Sequence, residues 1–210
     1  MTTTLREFGR SVRRSYRRTL VGPYRLWTAR RSDTVRIVIG SAGQSGRGWI
    51  PTDVDFLDVT NESQWARFCE PGTVDAILAE HVWEHLLPED ASRGAEMCHK
   101  YLRRGGYLRV AVPDGFHPDP GYVERVKPGG AGPGAGDHKI LYTYHTMSAV
   151  FSDLGFEIDL LEYFDEGGRF HSKDWDPAAG MIRRSFRFDE RNHNGATGYT
   201  SIVLDARKLT

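Results

Sequence analysis

The chain, 210 residues long, is expected to form one α/β domain: a mostly parallel sheet with helices on both faces. Three observations predict this. Short apolar runs recur at residues 35–39, 74–79, 107–112 and 156–161, each the length of a buried strand. Between them lie segments with helix-start and helix-stop residues, so strands and helices alternate. The first run opens onto Gly40, Ser41, Ala42 and Gly43, a turn almost without side chains that lets a ligand approach the backbone.

Taken in order, residues 1–31 hold nine arginines and one acid, a net +8 in a chain of net charge zero. Leu5, Phe8, Val12, Tyr16 and Leu20 recur at three- and four-residue spacing, the apolar stripe of a basic helical arm. Gly22 and Pro23 are expected to end that helix. A helix with several large apolar side chains packs on protein, so the arm is expected on the body or in a homodimer contact. Nucleic acid and an anionic membrane surface are the less favoured partners.

Residues 32–210 form the body. Residues 49–53 read as a second strand ending in a carboxylate, Asp53, and Asn61 caps a short helix running to Cys69. After the strand at 74–79, residues 88–102 form a helix with Pro88 in its first turn. Arg104, Gly105 and Gly106 stop it before the strand at 107–112. Residues 114–136 hold seven glycines with prolines between them. No packed element is expected there, and the segment reads as a flexible flap beside the strand tips. A helix at 146–154, a cap at Gly155, a strand at 156–161 and a last strand at 199–204 complete the order.

Composition narrows the class. Two cysteines, Cys69 and Cys98, give neither a disulfide framework nor metal spacing, which fits reduced thiols in a cytoplasmic protein. No apolar run has the length of a membrane span, and no signal peptide is visible.

In this order the pieces resemble the class I S-adenosylmethionine-dependent methyltransferases. The glycine turn is similar to that family's first motif, and Asp53 sits where its ribose-binding acid belongs. Residues 74–86 resemble its fourth strand and the segment after it, and residues 102–113 its glycine turn into the fifth. Leu154, Gly155 and Phe156 resemble the turn into the sixth. The tail, with Trp175, Arg183 and Asn192, looks most like small bacterial members found near glycan-biosynthesis genes. The resemblance implies a Rossmann-like sheet of seven strands, the last antiparallel, and S-adenosyl-L-methionine as cofactor. It implies a cofactor site at Gly40, Ser41, Ala42, Gly43, Asp53, Asp58, Glu80 and His81, with Asp58 toward the adenine. The chain departs from the pattern in lacking an acid before the first glycine, where Ile39 stands, and in the missing helix after Asp53.

Methyl transfer to a hydroxyl needs a nucleophile in line with the methyl group and a base near neutral pKa. Histidine fits, and His138, His145 and His81 are the candidate catalytic residues. The implied acceptor is a sugar or oligosaccharide hydroxyl, with RNA or nucleotide methylation and a non-catalytic subunit as alternatives. Aromatic and acidic residues between the last two strands, among them Asp165, Glu166, Phe170, His171, Trp175 and Asp176, suit a sugar as well as they suit a salt-bridged hairpin. His81, Glu84 and His85 have the i, i+3, i+4 spacing of a divalent-metal site on one helix face, with His138 as a further ligand. The metal-free reading is favoured.

Overall fold

The structure, a computed structural model, describes residues 20–43, 46–192 and 195–210. The apolar stripe from Leu5 to Tyr16 therefore lies outside the described residues. Helix α1 spans Gly22–Arg31. Gly22 and Pro23, expected as a helix end, are instead the first residues of this α-helix, directly after a π-helical pair, Leu20 and Val21.

Seven strands follow: β1 (Arg36–Ile39), β2 (Ile50–Pro51), β3 (Val74–Glu80), β4 (Leu102–Pro113), β5 (Phe156–Phe164), β6 (Phe170–Ser172) and β7 (Ser201–Lys208). They make one sheet in the order β2-β1-β3-β4-β7-β5-β6. The pairs β1–β2, β1–β3 and β3–β4 are parallel, whereas β4–β7, β5–β7 and β5–β6 are antiparallel. The sheet is therefore mixed: β1 to β5 share one direction, while β6 and the last strand, β7, run against them. The long strand β7 inserts between β4 and β5 against their direction, and the short β6 adds a hairpin at the edge. Arg104–Gly106, expected as a stop, lies inside β4. Gly105 takes φ +74° and the register with β3 shifts there, so the glycines make an irregularity and not a turn.

Four more helices are α2 (Glu62–Phe68), α3 (Pro88–Tyr101), α4 (Pro120–Val126) and α5 (Tyr144–Ser152). Asn61 caps α2 through Gln64 N, and Thr143 with Thr146 makes a reciprocal cap on α5. Helix α4 lies in the segment expected to hold no packed element. Its Tyr122 is fully buried, and the phenol donates to Thr200 O at 2.7 Å and accepts from Asp114 N at 3.0 Å. These bonds anchor the helix over the strand tips.

The two faces of the sheet are covered differently. Ile37, Ile39, Ile77, Leu108, Val110, Ile202 and Leu204 pack against Trp65, Phe68, Ala95, Cys98, Met147 and Phe151 of α2, α3 and α5. The opposite face carries Val38, Ala76, Leu78, Ala111 and Val203, and its cover is Trp49, Trp175 and Ile182. Among the described residues no α-helix joins this cover. An irregular segment with one 3-10 turn, Pro177–Ala179, takes the place of one. Buried polar groups of the sheet hold it down. Arg109, 3% exposed, makes a two-pronged ion pair with Asp205 and donates to Asp176 O and Gly180 O at 3.0 and 2.8 Å. Glu162 accepts from Trp175 Nε1 and Phe186 N at 2.9 and 2.7 Å. Asn192 donates to the carbonyls of Ser185, Phe186 and Tyr199. An irregular chain satisfies its backbone this way when no ladder is available.

Candidate active site

Because β7 runs against both β4 and β5, those two strands share a direction with β1 and β3. The carboxyl ends of β1, β3, β4 and β5 therefore line one edge, together with the start of β7. Ligands of open α/β sheets bind at this edge.

The glycine turn forms its first part. Gly40 and Gly43 take φ +61° and +86°, and a Cβ on Gly40 would stand 2.7 Å from a methyl of Val82. Glycine is thus required at position 40 on two counts. Ser41 N donates to Thr52 O at 2.9 Å, and Thr52 returns two bonds to Val38 O, which fasten the turn to the end of β2. A cavity of about 860 Å³ opens here. Its walls include Gly40, Ser41, Ala42, Glu80 and His81 from the expected set. Arg36, Arg47, Arg183 and Arg184 also face it.

Gly43, Asp53 and Asp58 lie outside that lining. Asp53 follows β2 at the turn's far side, and its carboxylate accepts from Val54 N at 3.2 Å. Asp58 is engaged locally: its Oδ1 accepts from the amide and hydroxyl of Thr60 at 2.9 and 2.8 Å. Glu80 accepts from Arg184 N at 2.8 Å, which ties the irregular cover to the cavity rim.

The three histidines are not brought together. His81 sits in the cavity wall with φ +56°, a left-handed conformation rare outside glycine. Its Nδ1 lies 2.9 Å from Glu84 Oε1 and its Nε2 lies 3.0 Å from Ser201 Oγ, so both nitrogens are engaged. The helical face expected for His81, Glu84 and His85 does not form, because only a 3-10 turn, Trp83–His85, follows. His138 is buried, with Nδ1 against Val126 O at 2.7 Å. His145 is exposed and its Nε2 contacts Glu166. Around it Phe116, Tyr144, Tyr163 and His171 cluster, the last two rings stacked at 4.9 Å, with Asp165 on His171.

Two buried carboxylates stand out: Glu84, which the sequence offered as a metal ligand, and Asp114, which it did not single out. Glu84 is fully buried. Burial pushes its carboxyl up, but the charge and hydrogen bond of His81, then its own amide and His85, hold it below the usual range. Asp114, at the end of β4, is also fully buried, and its two oxygens accept from Phe116 N and Phe164 N at 2.9 and 2.7 Å. Desolvation raises its pKa to about 6, against the lowering by those two bonds. The signal for Asp114 was the one used for Asp53, an acid at a strand tip.

No protein-family model matches the chain, and no curated protein matches it in sequence. Solved structures do match. A methyltransferase dependent on S-adenosylmethionine from Archaeoglobus fulgidus superposes with TM-score 0.50 at 17% identity, over 90% of this chain and 93% of that one. Another, from Thermotoga maritima, gives TM-score 0.51 at 13% identity, over 99% of this chain and all of that one. At such identity the likeness speaks for the fold. Seven strands in a mixed sheet, a glycine turn after the first and a cavity over the strand tips agree with it: the chain has the fold of the S-adenosylmethionine-dependent methyltransferases.

Proposed function

We propose that this protein is a methyltransferase that takes S-adenosyl-L-methionine and methylates a hydroxyl of a sugar or glycan precursor. The observation that carries the cofactor assignment is the cavity walled by Gly40, Ser41, Ala42, Glu80 and His81. Its volume, about 860 Å³, suits a small-molecule site. Asp53, at the end of β2 beside the turn, is the ribose ligand in this reading.

The acceptor assignment rests on the cluster of Tyr144, His145, Tyr163, Glu166 and His171 at the tip of β5. Aromatic faces cover the C–H side of a sugar, and carboxylates accept from its hydroxyls. Tips of β3 and β5 are three strand places apart, roughly 14 Å at ~4.8 Å per strand, so an acceptor of more than one ring spans the edge. His145 is the base in this reading. Glu166 holds its Nε2, and Nδ1 makes no hydrogen bond among the described residues. His81 has both ring nitrogens engaged and His138 is buried, so both fit the role less well than the exposed His145.

Release of S-adenosylhomocysteine against a panel of nucleotide sugars and oligosaccharides tests the reading. His145→Ala should lower turnover ~10²–10⁴-fold while cofactor affinity stays unchanged. Parental turnover in that variant would end the base assignment, and failure of the wild type to bind S-adenosylhomocysteine would end the cofactor assignment.

One observation favours a second acceptor class. Four arginines face the cavity with one carboxylate, Glu80, which suits a phosphate-bearing acceptor such as a nucleotide or RNA. Affinity for an oligonucleotide that falls steeply with salt would support it.

A further inference from the structure

Behind the cavity wall, Glu84, His85 and His138 place one ligand atom each within 4.8 Å of the others. Chain crossing makes this cluster: Lys139 N and Ile140 N both donate to Glu84 O, at 2.6 and 3.3 Å, and so bring His138 onto the 3-10 turn. The rings of His85 and His138 meet edge to face with centroids 4.7 Å apart.

The polar atoms of this cluster are left short of partners. Glu84 Oε1 has its contact with His81 Nδ1 at 2.9 Å, and Oε2 has no partner among the described residues. The hydroxyl of Tyr142 is buried without a partner among the described residues, and His85 Nδ1 has only the contact with Asp137 Oδ1 at 3.1 Å. Buried polar groups are almost always paired, because an unpaired one costs about 1–3 kcal/mol and a charged one more. An unpaired oxygen on a fully buried carboxylate, within reach of two imidazoles, points to a missing occupant that accepts lone pairs.

We propose that Glu84, His85 and His138 bind a divalent first-row transition-metal ion, departing from the metal-free reading of the sequence. Two imidazoles and one carboxylate select such an ion, zinc or its neighbours, over magnesium or calcium, which prefer all-oxygen sets. The surroundings fit ligand chemistry. Donation from His138 Nδ1 to Val126 O at 2.7 Å leaves Nε2 as the metal ligand. Asp137 lies 3.1 Å from His85 Nδ1 and orients that ring. Ligand bonds of ~2.0–2.2 Å set donors roughly 3.4 Å apart around a tetrahedral ion, so the three atoms must close by about an ångström, within reach of side-chain rotation. Three protein ligands leave a coordination position open. His81 stands between this ion and the cavity, with one nitrogen on Glu84 and its ring in the cavity wall. The assignment stands on these contacts and does not depend on which acceptor is methylated.

Cobalt(II) is the probe. Full-length protein is stripped with a chelator, dialysed free of it and titrated with Co²⁺, and the ligand-field absorption in the visible is followed. One ion per chain with a ligand-field spectrum is expected, as is competition by Zn²⁺. His85→Ala and His138→Ala should each weaken binding by more than the ~10–100-fold that follows loss of an outer contact. His99→Ala, at the far end of α3, should not. Since either histidine variant could lose the fold, Glu84→Gln, of the same shape, is measured with circular dichroism as its check and should also bind weakly. Absence of one-to-one binding in the wild type would overturn the proposal whatever the variants do. Binding that persists unchanged in folded Glu84→Gln would overturn it too.

Discussion

Asp114 should make the protein less stable as the pH rises through the weakly acid range. The reason is that burial raises its pKa from an ordinary 3.8 to about 6 in the folded state. The native protein then holds a proton that the unfolded chain releases, and stability falls with pH wherever the native state binds more protons. Below pH ~4 both states are protonated and the group costs nothing through linkage. Between ~4 and ~6 the cost grows, and above 6 it is complete. A shift of about two units at 1.36 kcal/mol per unit amounts to roughly 3 kcal/mol. Asp114→Asn removes the titration. It also leaves one carbonyl oxygen for the two amides of Phe116 and Phe164, a loss of about 1–3 kcal/mol at every pH. The variant should thus be the less stable protein at pH 4, and the gap should close or reverse by pH 7. Urea unfolding of both proteins at half-unit pH steps measures this, and their difference cancels the groups they share, Glu162 included. Stability curves that run parallel from pH 4 to 7 would refute the reasoning.

Other consequences are as open to measurement. Asp53→Ala should weaken S-adenosylhomocysteine by ~1.5–3 kcal/mol in calorimetry, the usual worth of a hydrogen bond to a charged group; unchanged affinity would remove Asp53 from the site. Arg109→Met leaves buried Asp205 with only the 3.7 Å contact to Arg207 and frees Asp176 O and Gly180 O, so chemical denaturation should show a loss of about 3–5 kcal/mol. A loss under 1 kcal/mol would show that the irregular cover does not depend on this pair. In the flap, hydrogen exchange should be slow across Pro120–Val126, where Tyr122 is fixed, and fast at Ala131 and Gly134 within residues 128–134, whose amides have no backbone bond among the described residues. Equal rates in the two stretches would contradict the anchoring of α4 by Tyr122.

What was legible in the sequence was whatever a short window encodes. The apolar runs of β1, β3 and β5 announce strands, Asn61 and Pro88 announce helix starts, and Gly40 and Gly43 announce the turn after β1. The order of these pieces also carried the methyltransferase likeness, and the solved structures agree with it as a fold. Tertiary structure alone decided the rest. Nothing near Trp175 or Ile182 shows that an irregular segment replaces a helical layer, because Arg109, Asp205 and Glu162, which hold it, come from distant strands. His81, His138 and His145 looked equivalent as residues beside strand tips. They differ because the fold sets one between Glu84 and Ser201, one on the Val126 carbonyl and one in an open aromatic cluster. Glu84 and His138 meet only because two backbone amides past His138 bond the carbonyl of Glu84, a contact across more than 50 residues that no local pattern records. Periodicity specifies which face a residue presents; what waits on that face depends on long-range contacts formed only when the whole chain has closed.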